Sequence, residues 1–333
     1  MSRSSVAMQG VLGLVGLLGS ACTVDHQIDR RVTIDTFVQE PASAVDSLWV
    51  VDNSPSMAEE QLRLADAFGQ FVAGLEDSNV DFRIGVVTTD MDLDNTERGA
   101  MVGDTAFLTA EDDYVTEFRN RVRVGTDGSD KEKGLSAALY ALTEPMMSGV
   151  NEGFLRADAT LAIQFVSDED DCSDNEALAG EGGDACYERR EDLVSVKQFI
   201  TAFQRFKEPG VRFVASSIVG MDISEGCQNS WPGHRYRTVA EKTGGVIRDI
   251  CEPDYGMLMG DLGLAVSGII RVFQLSYAAV EESLEVSVGD TLVPQNTDQG
   301  WTYDSEYRSL RFDGEYVPPR GATISVRYEV AGI

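Results

Sequence analysis

The sequence predicts an α/β chain in which a doubly wound, mostly parallel sheet covered by helices is followed by a small antiparallel β module. Three observations carry this. The short, mostly apolar runs Ser47–Val51 and Leu161–Val166 do not alternate with polar residues, the pattern of strands buried on both faces of a parallel sheet. The segments between them repeat their apolar residues at helical spacing. Beyond Ser276 the period changes to two, with turn residues Gly289-Asp290 and Asp313-Gly314 between the runs.

Taken in order, Val32, Ile34 and Val38 read as a short strand before Pro41, and Ser47–Val51 as the first buried strand. A helix is expected from Ala58, with Leu62, Leu64, Ala65, Phe68, Phe71, Val72 and Leu75 recurring at its period. A strand at Phe82–Thr88 follows, then an acidic stretch to about Arg123, a helix over Glu132–Leu142 and the strand Leu161–Val166. The series continues with helix Glu191–Phe206, strand Val211–Ile218, helix Tyr236–Lys242, strand Val246–Ile250 and helix Asp254–Leu275. Strands alternating with helices imply helices on both faces of the sheet. In the last segment Leu284–Val288, Ser309–Phe312 and Thr323–Val330 alternate apolar and polar residues, as strands with one wet face do. So small a module gains little from its own core, and the strand at Val32–Val38 is expected to join it.

The 333 residues divide accordingly into a signal peptide (1–21), a tether with the N-terminal strand (22–44), the α/β domain (45–275) and the β module (276–333). Arg3, the apolar run Val6–Leu18 and the small residues Gly19-Ser20-Ala21 read as an export signal. A small-residue run ending at Cys22 resembles the bacterial lipobox, with Gly19 where the usual Leu stands. That resemblance implies lipidation of Cys22 and a chain that sits on a membrane by its acyl groups and does not span it. Thr23, where inner-membrane retention favours Asp, makes the outer membrane the expected address. In an oxidising compartment the four remaining cysteines suggest disulfides. Of three possible pairings, Cys172 with Cys186 and Cys227 with Cys251 each close a local loop. No closely spaced C-x2-C pair is present to favour zinc.

Acidic residues outnumber basic ones 56 to 27, for a net charge of −29, which argues against phosphate-backbone partners and therefore against nucleic acid. Catalysis finds little support and no enzymatic activity is expected. The only histidines are His26 and His234, and neither a G-x-S-x-G elbow nor a G-x-x-x-x-G-K-[ST] loop occurs.

The first buried strand ends in Asp52-Asn53-Ser54-Pro55-Ser56-Met57 and a helix begins at once. Ligands of doubly wound sheets bind beyond such strand ends. One carboxylate and two hydroxyls at alternate positions supply hard oxygens suited to a divalent cation, although any of the three side chains also suits a helix cap. Asp90-Met-Asp-Leu-Asp94 imitates the start of an EF-hand loop but has Asn95 for the turn glycine and Met101 for the closing Glu.

With this motif and strand order the chain resembles a von Willebrand factor A domain carrying a metal-ion-dependent adhesion site, over roughly residues 45–275. The resemblance implies Mg²⁺ (or Ca²⁺ or Mn²⁺) on Asp52, Ser54 and Ser56, and Asp168 as a further ligand after its strand. It also implies a loop Thr before the next helix. Counting back from Gly134-Leu135 reaches Ser129, with Thr126 the alternative, so the sequence departs from the family there. The acids after Asp168, up to Asp171, read as a solvated loop. The resemblance implies a protein partner offering a carboxylate to the cation. With Asp52 as the single direct carboxylate ligand and Asp168 in the outer shell, the ion stays receptive to an acidic group. The other reading is a structural envelope protein in which the cation only stabilises the fold.

Overall fold

The computed structural model describes residues 31–39, 42–76, 80–221, 230–268, 272–305, 308–312 and 316–331. Cys22, His26 and Cys227 lie outside these residues, as do the expected export signal and tether up to residue 30. No helix among the described residues is long and apolar enough to cross a membrane.

In chain order the elements are strands β1 (Val32–Val38) and β2 (Ala44–Val51), helix α1 (Ala58–Glu76), β3 (Asp81–Thr88), α2 (Tyr114–Arg121), α3 (Gly134–Ala141), β4 (Thr160–Ser167) and the single turn α4 (Ala185–Glu188). Then follow α5 (Val196–Arg205), β5 (Phe213–Val219), α6 (His234–Thr243), β6 (Ile247–Asp249), α7 (Tyr255–Val266) and β7 (Val272–Gln274). The chain closes with β8 (Glu285–Val288), β9 (Thr291–Val293), β10 (Trp301–Asp304), β11 (Ser309–Phe312) and β12 (Thr323–Glu329).

The central sheet has the order β3-β2-β4-β5-β6 with every pairing parallel. Its inner strands β2, β4 and β5 are buried on both faces, as expected of strands in a covered parallel sheet. Along β2, Val45, Trp49 and Val51 join the core under α1, α2 and α7, while Leu48 and Val50 join the core under α3, α5 and α6. Trp49 meets Phe71 and Phe118 edge-on at 5.0 and 5.2 Å, geometry that adds to simple burial. Helices α1 and α7 touch backbone to backbone: a Cβ on Gly263 would lie 2.2 Å from Phe71 O, so only glycine permits this approach.

The chain leaves β2 for β3 on one side and returns for β4 on the other. The carboxyl end of β2 is therefore the switch point of the sheet, where side chains of two diverging loops can meet over an open crevice.

At the opposite, amino end of β2 stands a buried ionic network. Asp46 is fully buried and takes hydrogen bonds from Arg156 N and Nε, both at 2.7 Å. Lys207 Nζ lies 3.5 Å from the same carboxylate and donates to Arg156 O at 2.6 Å.

The remaining strands form two antiparallel sheets, β1-β12-β8-β9 and β10-β11-β7, over a separate apolar core. As expected, β1 joins this module: it pairs with β12 from Val32↔Glu329 to Val38↔Thr323. Asp35 locks the junction by accepting from Ser276 N, Ser276 Oγ and Tyr328 Oη at 2.7, 2.8 and 2.8 Å.

Some elements differ from expectation. The helix expected over Asp254–Leu275 stops at Val266; Gly268 takes φ +96°, and Val272–Gln274 become β7, paired with β11. A short apolar run fits helix or strand by periodicity alone. Here the strand gains Phe273 packed on Phe37 and Phe312 at 5.1 and 5.7 Å. The helix expected from Glu191 begins at Val196, and that expected from Glu132 begins at Gly134. Helix α2 and strands β9 and β10 had no strong periodic signal.

Candidate metal centre

The site grows from the end of β2. Strand pairing continues one residue past Val51, with Asp52 N donating to Val166 O at 2.9 Å, and this fixes the Asp52 backbone over the switch point. Its buried carboxylate accepts from Ser54 N at 2.7 Å on Oδ1 and from Ser167 Oγ at 2.6 Å on Oδ2. Pro55 then fixes the turn, and Ser54 and Ser56 bring their hydroxyls within 3.2 Å of each other. Gln61, one turn into α1, clamps the motif by donating to Asp52 O and Gly125 O at 2.9 and 2.8 Å.

Asp168, just after β4, is 4% exposed and held through its carbonyl by Trp231 N at 2.6 Å. Its carboxyl faces Ser56, and its Oδ1 is buried without a hydrogen bond. The structure thus gathers Asp52, Ser54, Ser56 and Asp168 at one place. Ser129 sits on the loop leading to α3 and its Oγ accepts from Lys131 N at 3.2 Å, a local turn. Thr126 lines a shallow pocket with Ala58, Gln61 and Leu62 on the flank of α1.

The residue that loop does deliver is Glu132, which the sequence reading missed. It is 2% exposed, its carboxyl faces Asp52 and Thr89, and neither of its oxygens makes a regular hydrogen bond. In Lys131-Glu132-Lys133 the side chains alternate. Lys131 Nζ donates to Leu178 O at 2.9 Å and Lys133 Nζ pairs with Asp174 at 2.7 Å, which turns Glu132 the other way, toward Asp52. The only signal available in the sequence was that alternation, and a charged triplet before a helix reads more simply as a solvated face.

The acids after Asp168 are not the solvated loop expected. Asp171 is buried; its Oδ1 accepts from Leu135 N at the start of α3 at 2.9 Å and its Oδ2 pairs with Arg235 Nε at 2.9 Å. Asp170 accepts from Arg235 N at 2.8 Å. Ser173 Oγ and Tyr236 Oη take the N–H groups of Ser136 and Gly134, so the first turn of α3 is fully capped by side chains. The Cys172–Cys186 disulfide, found as expected with a Cα–Cα distance of 5.2 Å, ties this loop into a small satellite core with Leu178. Cys251 is also disulfide-bonded; Cys227, the partner expected for it, is outside the described residues.

The electrostatics follow from burial without countercharge. Burial, then the Asp52 charge, raises Glu132 well above the usual carboxylate range and Asp168 to about 7. Glu169 is raised to about 7 by the same two causes, and Asp170 to about 6, chiefly by burial. Asp52 is also raised by burial, against the hydrogen bonds from Ser167 and Ser54. The neighbouring cations are engaged elsewhere: Lys131 with Leu178 O, Lys133 with Asp174, and Arg235 with Asp171 and Val194 O.

A divalent cation fits these residues. Buried carboxylate oxygens of Glu132 and Asp168 without hydrogen bonds, beside two serine hydroxyls, are hard donors lacking a positive partner. Among the described residues no trio of His, Cys, Asp or Glu side chains already converges at ligating distance, so the hydroxyls are essential to any such site. The EF-hand-like stretch makes a different structure: Asp90 Oδ1 accepts from Asp92 N at 2.9 Å in a turn on the wall of a groove of about 1070 Å³ that reaches Asn53.

No protein-family model and no curated protein sequence matches the chain. Among solved structures, a von Willebrand factor type A protein from Catenulispora acidiphila is 12% identical over 91% of this chain and 66% of its own, with a TM-score of 0.38. The pilus adhesin SpaC of Lactobacillus rhamnosus GG in its open conformation is 10% identical over 91% of this chain and 41% of its own, with a TM-score of 0.40. Proximal thread matrix protein 1 of the mussel byssus is 14% identical over 72% of this chain and 51% of its own, with a TM-score of 0.39. The chain thus spans two thirds or less of each of these proteins.

Proposed function

We propose that the chain is a cation-dependent protein-binding module of the cell envelope, of the von Willebrand factor A kind, that does no chemistry on its partner. The observation that carries this is the cluster at the switch point: Asp52, Glu132 and Asp168 buried with the Ser54 and Ser56 hydroxyls and no cationic side chain among them. Asp52, Ser54, Ser56 and Asp168 would hold a Mg²⁺ or Ca²⁺ ion, which supplies a Lewis-acidic point that a partner's oxygen can complete. The chain's own residues prepare that point. Ser167 and Ser54 N orient Asp52, Gln61 holds the loop at Gly125, and Trp231 fixes Asp168 from the rim. Trp231 is 50% exposed beside the half-buried Tyr187, 5.9 Å between rings, and an exposed tryptophan at the lip of a polar site suits an anchoring contact.

The test is thermal unfolding with cation and with chelator at two pH values. Carboxylates whose folded pKa is raised bind more protons folded than unfolded, so their contribution is present at acid pH and is lost as pH climbs from about 4 through 7. A cation replaces those protons, and its stabilisation should grow over the same window. At a hundredfold excess over Kd it supplies about 2.7 kcal/mol, a rise of roughly 4 °C in Tm for a chain of this size. We expect that rise at pH 8, little of it at pH 5, and its reversal by chelator. No cation-dependent shift at pH 8 would sink the reading.

The module is carried on the envelope, in the same reading, by a lipid on Cys22; the support is Gly19-Ser20-Ala21 before that cysteine. Cys22→Ala should move the protein from membrane to soluble fractions, and its retention in membranes would remove the anchor.

A further inference from the structure

We propose that β1 is a docking edge to which a second copy of this chain adds its own β1, antiparallel about a two-fold axis at Ile34, so that two four-stranded sheets join into one. The inference rests on the β module and is independent of the cation-binding reading.

Strand β1 stands at one edge of the sheet β1-β12-β8-β9 and is seven residues long. Its odd-numbered residues bond to β12. Val330 N donates to Arg31 O at 2.8 Å and Gln39 N donates to Ala322 O at 2.9 Å, with Thr33, Asp35 and Phe37 in register between them. Hydrogen-bonded and non-hydrogen-bonded positions alternate along an antiparallel strand, so the N–H and C=O groups of Val32, Ile34, Thr36 and Val38 point away from β12. Among the described residues no strand pairs with that side. The side chains of these four residues are exposed, Val32 at 45%, Ile34 at 61% and Val38 at 47%. An open row of backbone groups beside a β-branched aliphatic stripe is a template for another strand, and natural edges are blunted by lysine, proline, bulges or shortness. None of these devices interrupts β1, which pairs in unbroken register and contains no lysine, proline or glycine.

The other edges decide the occupant. Strands β6, β7 and β9 have three residues each and β10 has four, and Pro294 directly follows β9. The eight-residue β3 is covered where Leu108 and Val102 bond to Ile84 and Val86. Among the described strands, the open mate of equal length for β1 is therefore β1 of another copy. Such a contact uses the same edge on both copies and closes as a dimer, with the short β9 left outermost. Charge selects the register. Centring on Asp35 would set two carboxylates directly opposite each other, which is unfavourable. Centring on Thr36 sets Phe37 against Asp35 and brings it no cation. Centring on Ile34 sets Val32 opposite Thr36 and the Thr33 hydroxyl opposite Asp35, with Arg31 of one copy diagonal to Asp35 of the other. Three hydrogen-bonded pairs then exchange two bonds each, about six in all.

The experiment is sedimentation of the Cys22→Ala chain in chelator and about 0.5 M salt, which screens the repulsion between two copies of net charge −29. For so small a contact we expect monomer at about 1 µM and mostly dimer at about 0.5 mM. Ile34→Lys places two ammonium groups at the axis and should weaken dimerisation more than about tenfold. Leu292→Lys, the same change at an exposed position of β9, should leave it unaltered. Circular dichroism checks both folds. Between the two concentrations, amide hydrogen exchange at Val32, Ile34 and Thr36 should slow several-fold, while Thr33, Asp35 and Phe37, already bonded to β12, change little. A chain that stays monomeric, a dimer that survives Ile34→Lys, or a dimer without added protection at those three amides would overturn the inference. A monomer whose binding to phosphatidylcholine vesicles is lost in Ile34→Lys would also overturn it, giving the stripe to a bilayer. Each of these outcomes leaves the cation-binding reading untouched.

Discussion

Asp52→Ala is expected to lower cation affinity by at least about a hundredfold, to the point where calorimetry with Mg²⁺ or Ca²⁺ shows no heat of binding. Asp52 is the carboxylate on which the other groups converge: Ser54 N, Ser167 Oγ and the Glu132 carboxyl all meet it. Its loss removes one carboxylate from the cluster and frees the turn that sets the Ser54 and Ser56 hydroxyls. The apo fold should survive. Two donors lose their acceptor, costing about 1–3 kcal/mol each if they stay dry, but a buried carboxylate that raises its neighbours Glu132 and Asp168 also disappears. Equal affinity in parent and variant would remove the site. Metal binding by the parent together with partner binding that ignores chelator would remove the mechanism and leave the site standing.

The second large effect is on stability. Asp46→Ala should destabilise the chain by about 3–5 kcal/mol, read as a fall in the denaturant midpoint with little change in slope. Asp46 is fully buried and is the anion for Arg156 and Lys207 together. The Lys207 side chain is 1% exposed, and burial lowers its pKa against the Asp46 charge. Without Asp46 the lysine must lose its proton or remain charged in the interior, and Arg156 N, which Asp46 Oδ2 accepts at 2.7 Å, loses its acceptor. The damage lies at the amino end of β2, away from the carboxylate and hydroxyl cluster at its carboxyl end, so on the proposed reading the variant should bind cation as the parent does while it remains folded. A loss of less than about 1 kcal/mol would place the network among ion pairs that merely offset their own desolvation.

Some of this architecture was legible in the residues alone. The short, mostly apolar runs marked β2 and β4, because a strand covered on both faces has no reason to alternate. D-x-S-x-S directly after such a run pointed to the candidate site, because strand ends at a switch point are where a doubly wound sheet leaves room for a ligand. The joining of β1 to the distant β12 followed from the small size of the module, which needs every strand available. Cys172 with Cys186 followed from the short loop between them.

What tertiary structure alone decided is where charged side chains point and which of two periods an ambiguous segment adopts. Glu132 enters the cluster only because Lys131 and Lys133 find Leu178 O and Asp174 on a disulfide-tied loop some 40 residues later. Asp46, Arg156 and Lys207 come from three separate segments and carry no common motif. Val272–Gln274 become a strand because Phe37 and Phe312, from opposite ends of the chain, offer Phe273 a core. Periodicity, caps and turns are set by neighbours within a few residues and can be read locally. The orientation of a buried charge depends on partners brought close by the fold, since its desolvation is offset only where such a partner stands.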